Sequence, residues 1–279
     1  YVTGVGYGDD DGRFAKWWPA DVHIIGKDIT RFHCVIWPSM LMAGGVELPR
    51  SVFAHGFISL GGEKMSKTRG NILDPAAMVK AFGSDGLRYL LMREVPFDRD
   101  GDISVETLLA RYNADLANEL GNLFSRTVAM ISKYLKGTIA ARPFGEKDEL
   151  HQDLSAAIEG FRKHMERMEF SRAIGAFWTV VQRANRFIEE KRPWELAKDE
   201  GRKEELETVF INLLAVLVSS GVLLSSFMPS AMGRMLDHLG AGDHGIDDLP
   251  PAEIGASGLE PPKPLFPRIQ ADPSELFED

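Results

Sequence analysis

The hydrophobic pattern of this 279-residue chain changes its period once, at about Ser104. Before this residue, short apolar runs are separated by glycine-rich turns, as in strands joined by loops. After it, apolar residues recur at helical spacing to about residue 240. A chain that changes its pattern in this way is neither one sheet nor one bundle. We therefore expect an α/β part followed by an all-α part.

The α/β part contains one strand–helix–strand unit, which favours a parallel sheet. The predicted helix should kink at Pro38, because proline lacks an amide hydrogen and crowds the preceding turn. The predicted elements are a strand at 21–26, a helix from Asp28 or Thr30 to about Met42 that ends at Gly44-Gly45, and a β-rich run at 51–60 followed by the Gly61-Gly62 turn.

The all-α part predicts an antiparallel helix bundle. A proline-rich linker follows Gly240, and the apolar run Pro264–Ile269 should form a short anchor. The predicted helices span 104–136, 147–168, 171–191, 194–220 and 222–239.

Composition limits the class of protein without deciding its partners. The net charge is −9, but residues 1–240 contribute only −2, so a locally basic face for nucleic acid remains open. Cys34 is the single cysteine, which excludes an internal disulfide and favours a reducing compartment. No run reaches about 18 uninterrupted apolar residues, and there is no secretory leader, so we expect no membrane segment.

The sharpest local motif is the lysine loop, Glu63-Lys64-Met65-Ser66-Lys67-Thr68-Arg69-Gly70-Asn71. Two lysines flank a small hydroxyl residue directly after a predicted strand and a glycine turn. Such a loop can place two ammonium groups against a polyphosphate and stabilise the charge that develops during transfer. The alternative is a solvated basic loop.

This loop resembles the KMSKS signature of class I aminoacyl-tRNA synthetases, and its surroundings resemble the methionyl-tRNA synthetase family. Thr68 departs from the usual final serine but keeps the hydroxyl. The HIGH motif of the family is absent, since His23-Ile24-Ile25-Gly26 only mimics it. Because the chain starts at Tyr1 and lacks that motif, we expect the C-terminal portion of a longer protein. The matching pieces are Gly26-Lys27-Asp28-Ile29-x-Arg31-Phe32-His33, Trp37-Pro38, His55-Gly56-Phe57, Gly70-Asn71-x-x-Asp74-Pro75, Asp85-x-x-Arg88-Tyr89 and Leu265-Phe266-Pro267-Arg268-Ile269.

Ile29, His33 and Trp37 are spaced four residues apart and share one helix face. An aliphatic, an imidazole and an indole side chain suit a flexible thioether, because sulfur packs well against aromatic edges. The resemblance implies that these residues, with Tyr1, line a methionine pocket. The alternative is an ordinary core face of an amphipathic helix.

Gly26, Lys27 and Asp28 follow the first predicted strand, at the edge where open α/β sheets bind ligands. Asp28 could accept hydrogen bonds from ribose hydroxyls or cap the helix. Near the end of the second run, bare Gly56 would let an adenine approach backbone near Ile58. The resemblance implies an ATP site; its predicted residues are Gly26, Lys27, Asp28, His55, Gly56, Ile58 and Lys67.

In the helical part, Asn122 and Arg126 lie four residues apart on one face, and both can make bidentate hydrogen bonds to base edges. Trp194 starts another predicted helix and could stack on an unpaired base. The resemblance implies that these three residues read the anticodon. The alternatives are a surface ion pair for Arg126 and a core aromatic for Trp194. Nearby basic residues, which serve either phosphate contacts or a solvated mixed face, are Arg183, Arg186, Lys191 and Arg192.

The resemblance implies the second half of a Rossmann-like catalytic domain (1–73), an α-rich connector that contacts the tRNA stem (74–103), an anticodon-binding helix bundle (104–240), and an acidic proline-rich linker with the C-terminal anchor (241–279). It also implies ATP-dependent attachment of methionine to its tRNA through methionyl-adenylate. Lys67, assisted by Lys64, would stabilise the transition state, with Mg²⁺ arriving on ATP and no metal bound by this segment. We expect a cytoplasmic monomer.

Two alternatives remain at this point. One is another class I synthetase, for cysteine or leucine, against which the Ile29, His33 and Trp37 face and the Asn122 and Arg126 pair argue. The other is a noncatalytic tRNA-binding protein that retains the scaffold, against which the intact lysine loop argues.

Overall fold

A computed structural model of the chain describes residues 1–64 and 73–271. Its N-terminal part contains helix α1 (Asp11–Trp17) and two strands, β1 (His23–Gly26) and β2 (Val52–His55). The strands pair in parallel, which confirms the predicted strand–helix–strand unit. Burial alternates along β1, with His23 and Ile25 buried, because successive side chains of a strand point to opposite faces.

The helical connection between β1 and β2 changes from 3₁₀ to π-helical to α-helical geometry, with Pro38 in the first turn of the α-helical part. A 3₁₀ turn (Lys27–Ile29) and a π-helical segment (Phe32–Ile36) lead into helix α2 (Trp37–Ala43), which ends at Gly44. The amide of Trp37 donates to the carbonyl of Phe32 instead of that of His33, just before the proline. Neither predicted cap is used: Gly26 occupies the N-cap position, and no side chain caps the turn.

The predicted second strand is divided in two at Gly56 and Phe57. Strand β3 (Ile58–Leu60) leaves β2 and pairs with β4 (Glu63–Lys64) and, in parallel, with β5 (Gly101–Ile103). The division follows from packing, because the loop before β5 crosses at Gly56, where a β-carbon would overlap the backbone of Arg99.

Helix α3 (Pro75–Glu94) follows the lysine loop and leads to the bundle. Asp74 caps its first turn by accepting hydrogen bonds from the amides of Ala76 and Ala77. Gly83, with φ of 71°, kinks the helix, so the axis of its second half differs in direction from that of its first half.

The bundle confirms the predicted all-α part but corrects two helix boundaries. Predicted helix 194–220 is divided, because Asp199 caps a 3₁₀ turn before α9 begins. The predicted break at Gly221 is wrong, because α9 continues through this glycine to Leu224 and Leu236 packs against it. Helix α10 starts only at Pro229. The helices are α4 (Val105–Arg111), a π-helical segment (Tyr112–Gly121), α5 (Asn122–Leu135), α6 (His151–Glu166), α7 (Phe170–Lys191), α8 (Pro193–Leu196), α9 (Lys203–Leu224) and α10 (Pro229–Leu239).

Helix α9 forms the centre of the bundle and contacts α5, α7, α8 and α10. The stretch Glu200–Leu224 is long and apolar enough to cross a membrane, which the sequence prediction overlooked. However, 83% of its most apolar 18-residue window is buried inside the protein, as in the core helix of a bundle.

The segment predicted to be a linker contains a strand as well as the anchor. Strand β7 (Glu253–Ala256) pairs antiparallel with β6 (Ile139–Pro143), and neither strand was predicted. The predicted anchor segment packs on the bundle: Phe266 is buried with its ring edge-on to Tyr112, and Asn113 exchanges two hydrogen bonds with the backbone of Ile269.

Candidate active site and nucleic-acid interface

Three of the four predicted methionine-pocket residues lie in one aromatic cluster. The Oη of Tyr1 lies 2.9 Å from Nε2 of His33, whose Nδ1 lies 3.1 Å from the carbonyl oxygen of Ile29. A carbonyl only accepts, so Nδ1 of His33 donates, and in the neutral ring Nε2 accepts from the tyrosine hydroxyl. Ile29 thus contributes its carbonyl to the cluster, while its side chain is 36% exposed.

The cluster also contains His23, which the sequence analysis did not select. Nε1 of Trp37 donates to Nε2 of His23 over 3.3 Å, and the Tyr1 ring stacks on His23 with centroids 4.9 Å apart. Trp37 meets Tyr1 edge to face at 5.7 Å. The alternating burial of a strand beside the predicted pocket would have identified His23, since it shares the inward face of β1 with Ile25.

Burial, with a smaller contribution from neighbouring His33, lowers the pKa of His23. The unfolded chain therefore takes up this proton near pH 6.5, and the folded chain takes it up only at lower pH. We expect the free energy of unfolding to decrease as pH falls below about 6.5. His23→Gln should lose part of this dependence, as measured by denaturant unfolding between pH 5 and pH 8. An unchanged pH dependence would show that His23 is not the group responsible.

Two of the predicted nucleotide residues, Gly26 and His55, pair at the carboxyl edge of the first sheet. Lys27 follows directly and forms an ion pair with Asp100, with Nζ 2.6 Å from Oδ2. The carboxylate of Asp28 is exposed and has no hydrogen-bond partner among residues 1–64 and 73–271. It is therefore available to a ligand at this edge.

Asp100 is a second residue that the sequence analysis missed. Its Oδ1 accepts a hydrogen bond of 2.8 Å from the amide of Phe57, while Lys27 lies over the Phe57 ring. The hydrogen bond from Lys27, followed by that from the Phe57 amide, lowers the pKa of the Asp100 carboxyl. No sequence signal indicated this contact, because 73 residues separate Lys27 and Asp100.

The structure corrects the reason given for Gly56. Its bare side is covered by the backbone of Arg99 and Asp100, so an adenine cannot approach there, and the glycine is needed for chain packing. His55 donates from Nδ1 to the Gly56 carbonyl over 2.9 Å and stacks on Phe97. Ile58 is half-buried in β3. Both residues therefore have structural roles beside the candidate nucleotide edge.

Of the two predicted catalytic lysines, Lys67 lies outside the described residues, and Lys64 is the last residue of β4. Strand β4 is held by β3, so the lysine loop starts from a sheet edge and ends before the Asp74 cap of α3. The turn that precedes β4 is held by Asp102, which accepts hydrogen bonds from the amide of Gly62 and from Ser59.

The predicted anticodon residues lie on the bundle. Asn122 is exposed at the first position of α5, and Arg126, one turn further on, forms a 2.8 Å ion pair with Glu189 of α7. Trp194 is the second residue of α8 and is half-buried against the core. Glu189 and Trp194 are five residues apart, which limits their separation to about 18 Å. In the free protein, Arg126 is thus a surface ion pair, and Trp194 is neither fully buried nor fully exposed.

The nearby basic residues divide into two groups. Arg183 pairs with Glu190 and Asp153, and Lys191 pairs with Glu149. By contrast, Arg186 and Arg192 are exposed and form no ion pair within the described part of the chain. Of these four residues, Arg186 and Arg192 could therefore contact phosphate without first breaking an ion pair. Over the described ranges, no group of three or more His, Cys, Asp or Glu side chains could hold a metal ion.

Two family models together match almost the whole chain. The model of class I tRNA synthetases (M) matches residues 1–128, and the model of the anticodon binding domain of methionyl tRNA ligase matches residues 140–278. Methionine–tRNA ligases of Caldanaerobacter subterraneus subsp. tengcongensis and Bacillus subtilis are 44% and 42% identical in sequence to this chain, and each alignment covers 98% of it. The chain covers 44% and 42% of those relatives, which is less than half of their length.

Solved structures agree with the sequence relatives. Mycobacterium tuberculosis methionyl-tRNA synthetase in complex with methionyl-adenylate has a TM-score of 0.88 and 40% identity, over 96% of this chain and 54% of that one. The apo form of the Mycobacterium tuberculosis enzyme has a TM-score of 0.84 and 37% identity, over 98% of this chain and 54% of that one. With two family models, these relatives and the fold in agreement, the chain belongs to the methionyl-tRNA synthetase family of class I tRNA synthetases.

Proposed function

We propose that the full-length protein containing this chain attaches methionine to its tRNA in two steps. The methionine carboxylate attacks the α-phosphorus of ATP, which forms methionyl-adenylate and releases pyrophosphate. A hydroxyl of the terminal tRNA adenosine then attacks the methionyl carbonyl, and AMP leaves. The observation that carries this proposal is the cluster of Tyr1, His23, His33 and Trp37, which His33 joins to the Ile29 carbonyl in the turn after β1, in a fold shared with a methionyl-adenylate complex.

The cluster supports methionine as the amino acid. The rings of His23 and Trp37 contact a hydrogen-bonded His33–Tyr1 pair, so the cluster presents polarisable ring faces and edges. A thioether needs dispersion contact with aromatic edges and no hydrogen-bond donor, which such a wall provides.

The edge beside the cluster supports ATP as the second substrate. Asp28 offers an unpaired carboxylate for ribose hydroxyls, and Lys27 offers an ammonium group for phosphate once it leaves Asp100. Lys67, assisted by Lys64, supplies positive charge to the pentavalent phosphorus. Mg²⁺ arrives bound to the ATP phosphates, and we assign it no ligand in the chain.

The bundle supports tRNA as the third substrate, with Asn122, Arg126 and Trp194 as readers of the anticodon. Arg126 would exchange Glu189 for a base edge, and half-buried Trp194 would present its open ring face for stacking. We extend the proposal to a monomeric cytoplasmic enzyme, consistent with an exposed, unpaired Cys34.

Trp37→Ala should raise the KM for methionine at least about tenfold, because loss of a buried aromatic contact costs more than about 1.4 kcal/mol. The KM for ATP should change little, since Trp37 faces the aromatic cluster and not the Lys27 edge. Trp17→Ala is the matched control, because that indole is 57% exposed and lies outside the cluster. Equal losses for both substrates would indicate collapse of the α2 helix instead.

Amino-acid-dependent exchange of labelled pyrophosphate into ATP tests the proposal in the full-length protein. We expect exchange with methionine and little with leucine or cysteine. Exchange with another amino acid would support another class I synthetase. No exchange with any amino acid, together with tRNA binding, would support a noncatalytic tRNA-binding protein.

A further inference from the structure

The second half of α3 fastens the region after the lysine loop to the bundle. Nε of Arg88 donates to the carbonyl of Phe227 over 2.8 Å, and its Nη2 donates to the carbonyl of Ser226 over 3.1 Å. One turn earlier, Oδ2 of Asp85 accepts a 2.6 Å hydrogen bond from the amide of Ala231. One turn of α3 therefore holds both sides of the corner between α9 and α10.

The chemistry of this corner matches the two side chains. The carbonyls after the last turn of α9 lack helical partners and carry partial negative charge, which the guanidinium neutralises. The amides in the first turn of α10 lack partners and carry partial positive charge, which the carboxylate neutralises. Neither contact reaches the aromatic cluster or the Lys27 edge.

A neighbouring contact fixes the rotation of α3 against the bundle. The fully buried Tyr89 donates to Oδ2 of Asp115 over 2.7 Å, and Arg93 lies 3.5 Å from the same carboxylate. Arg93 also donates to the carbonyl of Ser171 at the start of α7. The second half of α3 thus touches three separate helical elements of the bundle.

The position of α3 in the chain gives these contacts a consequence. The helix begins at Pro75, eight residues after Lys67, and it is the first element that connects the lysine loop to the bundle. Gly83 divides α3, so the contacts made after Gly83 fix the direction of the half that packs on the bundle. They do not fix the half that follows the lysine loop.

We propose that Asp85 and Arg88 are positioning residues for tRNA charging. By holding the corner between α9 and α10, they set the orientation of the tRNA-reading bundle relative to the catalytic part. In this orientation, a tRNA bound by the bundle places its terminal adenosine next to the methionyl-adenylate. This inference rests on the proposed function, because it assigns the two residues to its second step only.

The test uses Arg88→Ala and Asp85→Ala in the full-length protein. Three quantities are measured: methionine-dependent pyrophosphate exchange, the Kd of an isolated anticodon stem-loop, and kcat/KM for charging of whole tRNA. We expect exchange and stem-loop binding to stay within about twofold and charging to fall about tenfold or more, since small misplacement of reacting groups reduces rate strongly.

Conservative variants separate positioning from folding. Asp85→Asn keeps an oxygen that accepts from Ala231, so it should charge tRNA nearly as well as the unchanged protein, whereas Arg88→Lys should retain only part of the activity. Lys16→Ala on the exposed surface of α1, outside the aromatic cluster and the bundle, is the control and should change nothing.

Three results would contradict the inference or its basis in different ways. Unchanged charging in both alanine variants would overturn it, and so would a parallel fall of all three quantities, which would show that the corner serves folding alone. Absence of charging by the unchanged protein would instead contradict the proposed function.

Discussion

Lys67→Ala should reduce the rate of methionyl-adenylate formation by about 10²–10³ in the full-length protein, the scale for losing one preorganised transition-state contact. The reason is electrostatic, because negative charge moves onto the departing pyrophosphate as the carboxylate attacks. The KM for methionine should hardly change, since the aromatic cluster that would contact the side chain is formed by Tyr1, His23, His33 and Trp37. Single-turnover adenylate formation, followed by pyrophosphate release, measures the effect.

Lys80→Ala provides a charge-matched control for this result. Lys80 is an exposed lysine of α3, so its loss removes the same charge without entering the candidate site. Lys64→Ala should show a smaller loss than Lys67→Ala, in keeping with an assisting role. Near-normal turnover in the Lys67 variant would contradict the assignment of the lysine loop to catalysis.

Trp194→Ala and Arg126→Ala should each weaken tRNA charging by about 5- to 150-fold while amino-acid activation stays intact. The expected losses are about 1–3 kcal/mol, for a stacking contact in the first case and a base contact in the second. Activation should be spared because both residues lie on the bundle, whereas the aromatic cluster and the Lys27 edge lie within residues 1–58 and at Asp100. Pyrophosphate exchange and tRNA charging are measured on the same preparations.

The ion pair of Arg126 supplies a control for this experiment. Glu189→Gln removes the partner charge and leaves the arginine in place. Because Arg126 then has no ion pair to break before it binds the tRNA, charging should be maintained or improved. A joint fall of activation and charging in Trp194→Ala would show that this indole is a core aromatic. A loss in Glu189→Gln equal to that in Arg126→Ala would show that the pair is structural.

Local pattern was sufficient for the elements whose partners lie close in sequence. The β1–helix–β2 unit and the bundle were predicted because each carries its own periodicity. Strands β6 and β7 were missed because more than 100 residues separate them and each is short. Likewise, Gly221 resembles a helix stop until Leu236 is seen to pack on it.

The candidate site shows the same division. Tyr1, His33 and Trp37 were selected together and do meet, although Tyr1 was placed by resemblance and not by spacing. Asp100 could not be found, because its contact with Lys27 is made by a loop beyond α3. Gly56 was selected for the wrong reason, since the lack of a side chain makes room for the backbone of Arg99.

Transfer of labelled methionine to tRNA by the full-length protein tests the central claim most directly. The measurement compares a tRNA that carries the CAU anticodon with the same tRNA carrying a changed anticodon, at equal concentrations of ATP and methionine. The account predicts rapid formation of methionyl-tRNA with the first tRNA and much slower formation with the second. Failure to charge either tRNA, with the protein folded and ATP present, would contradict it.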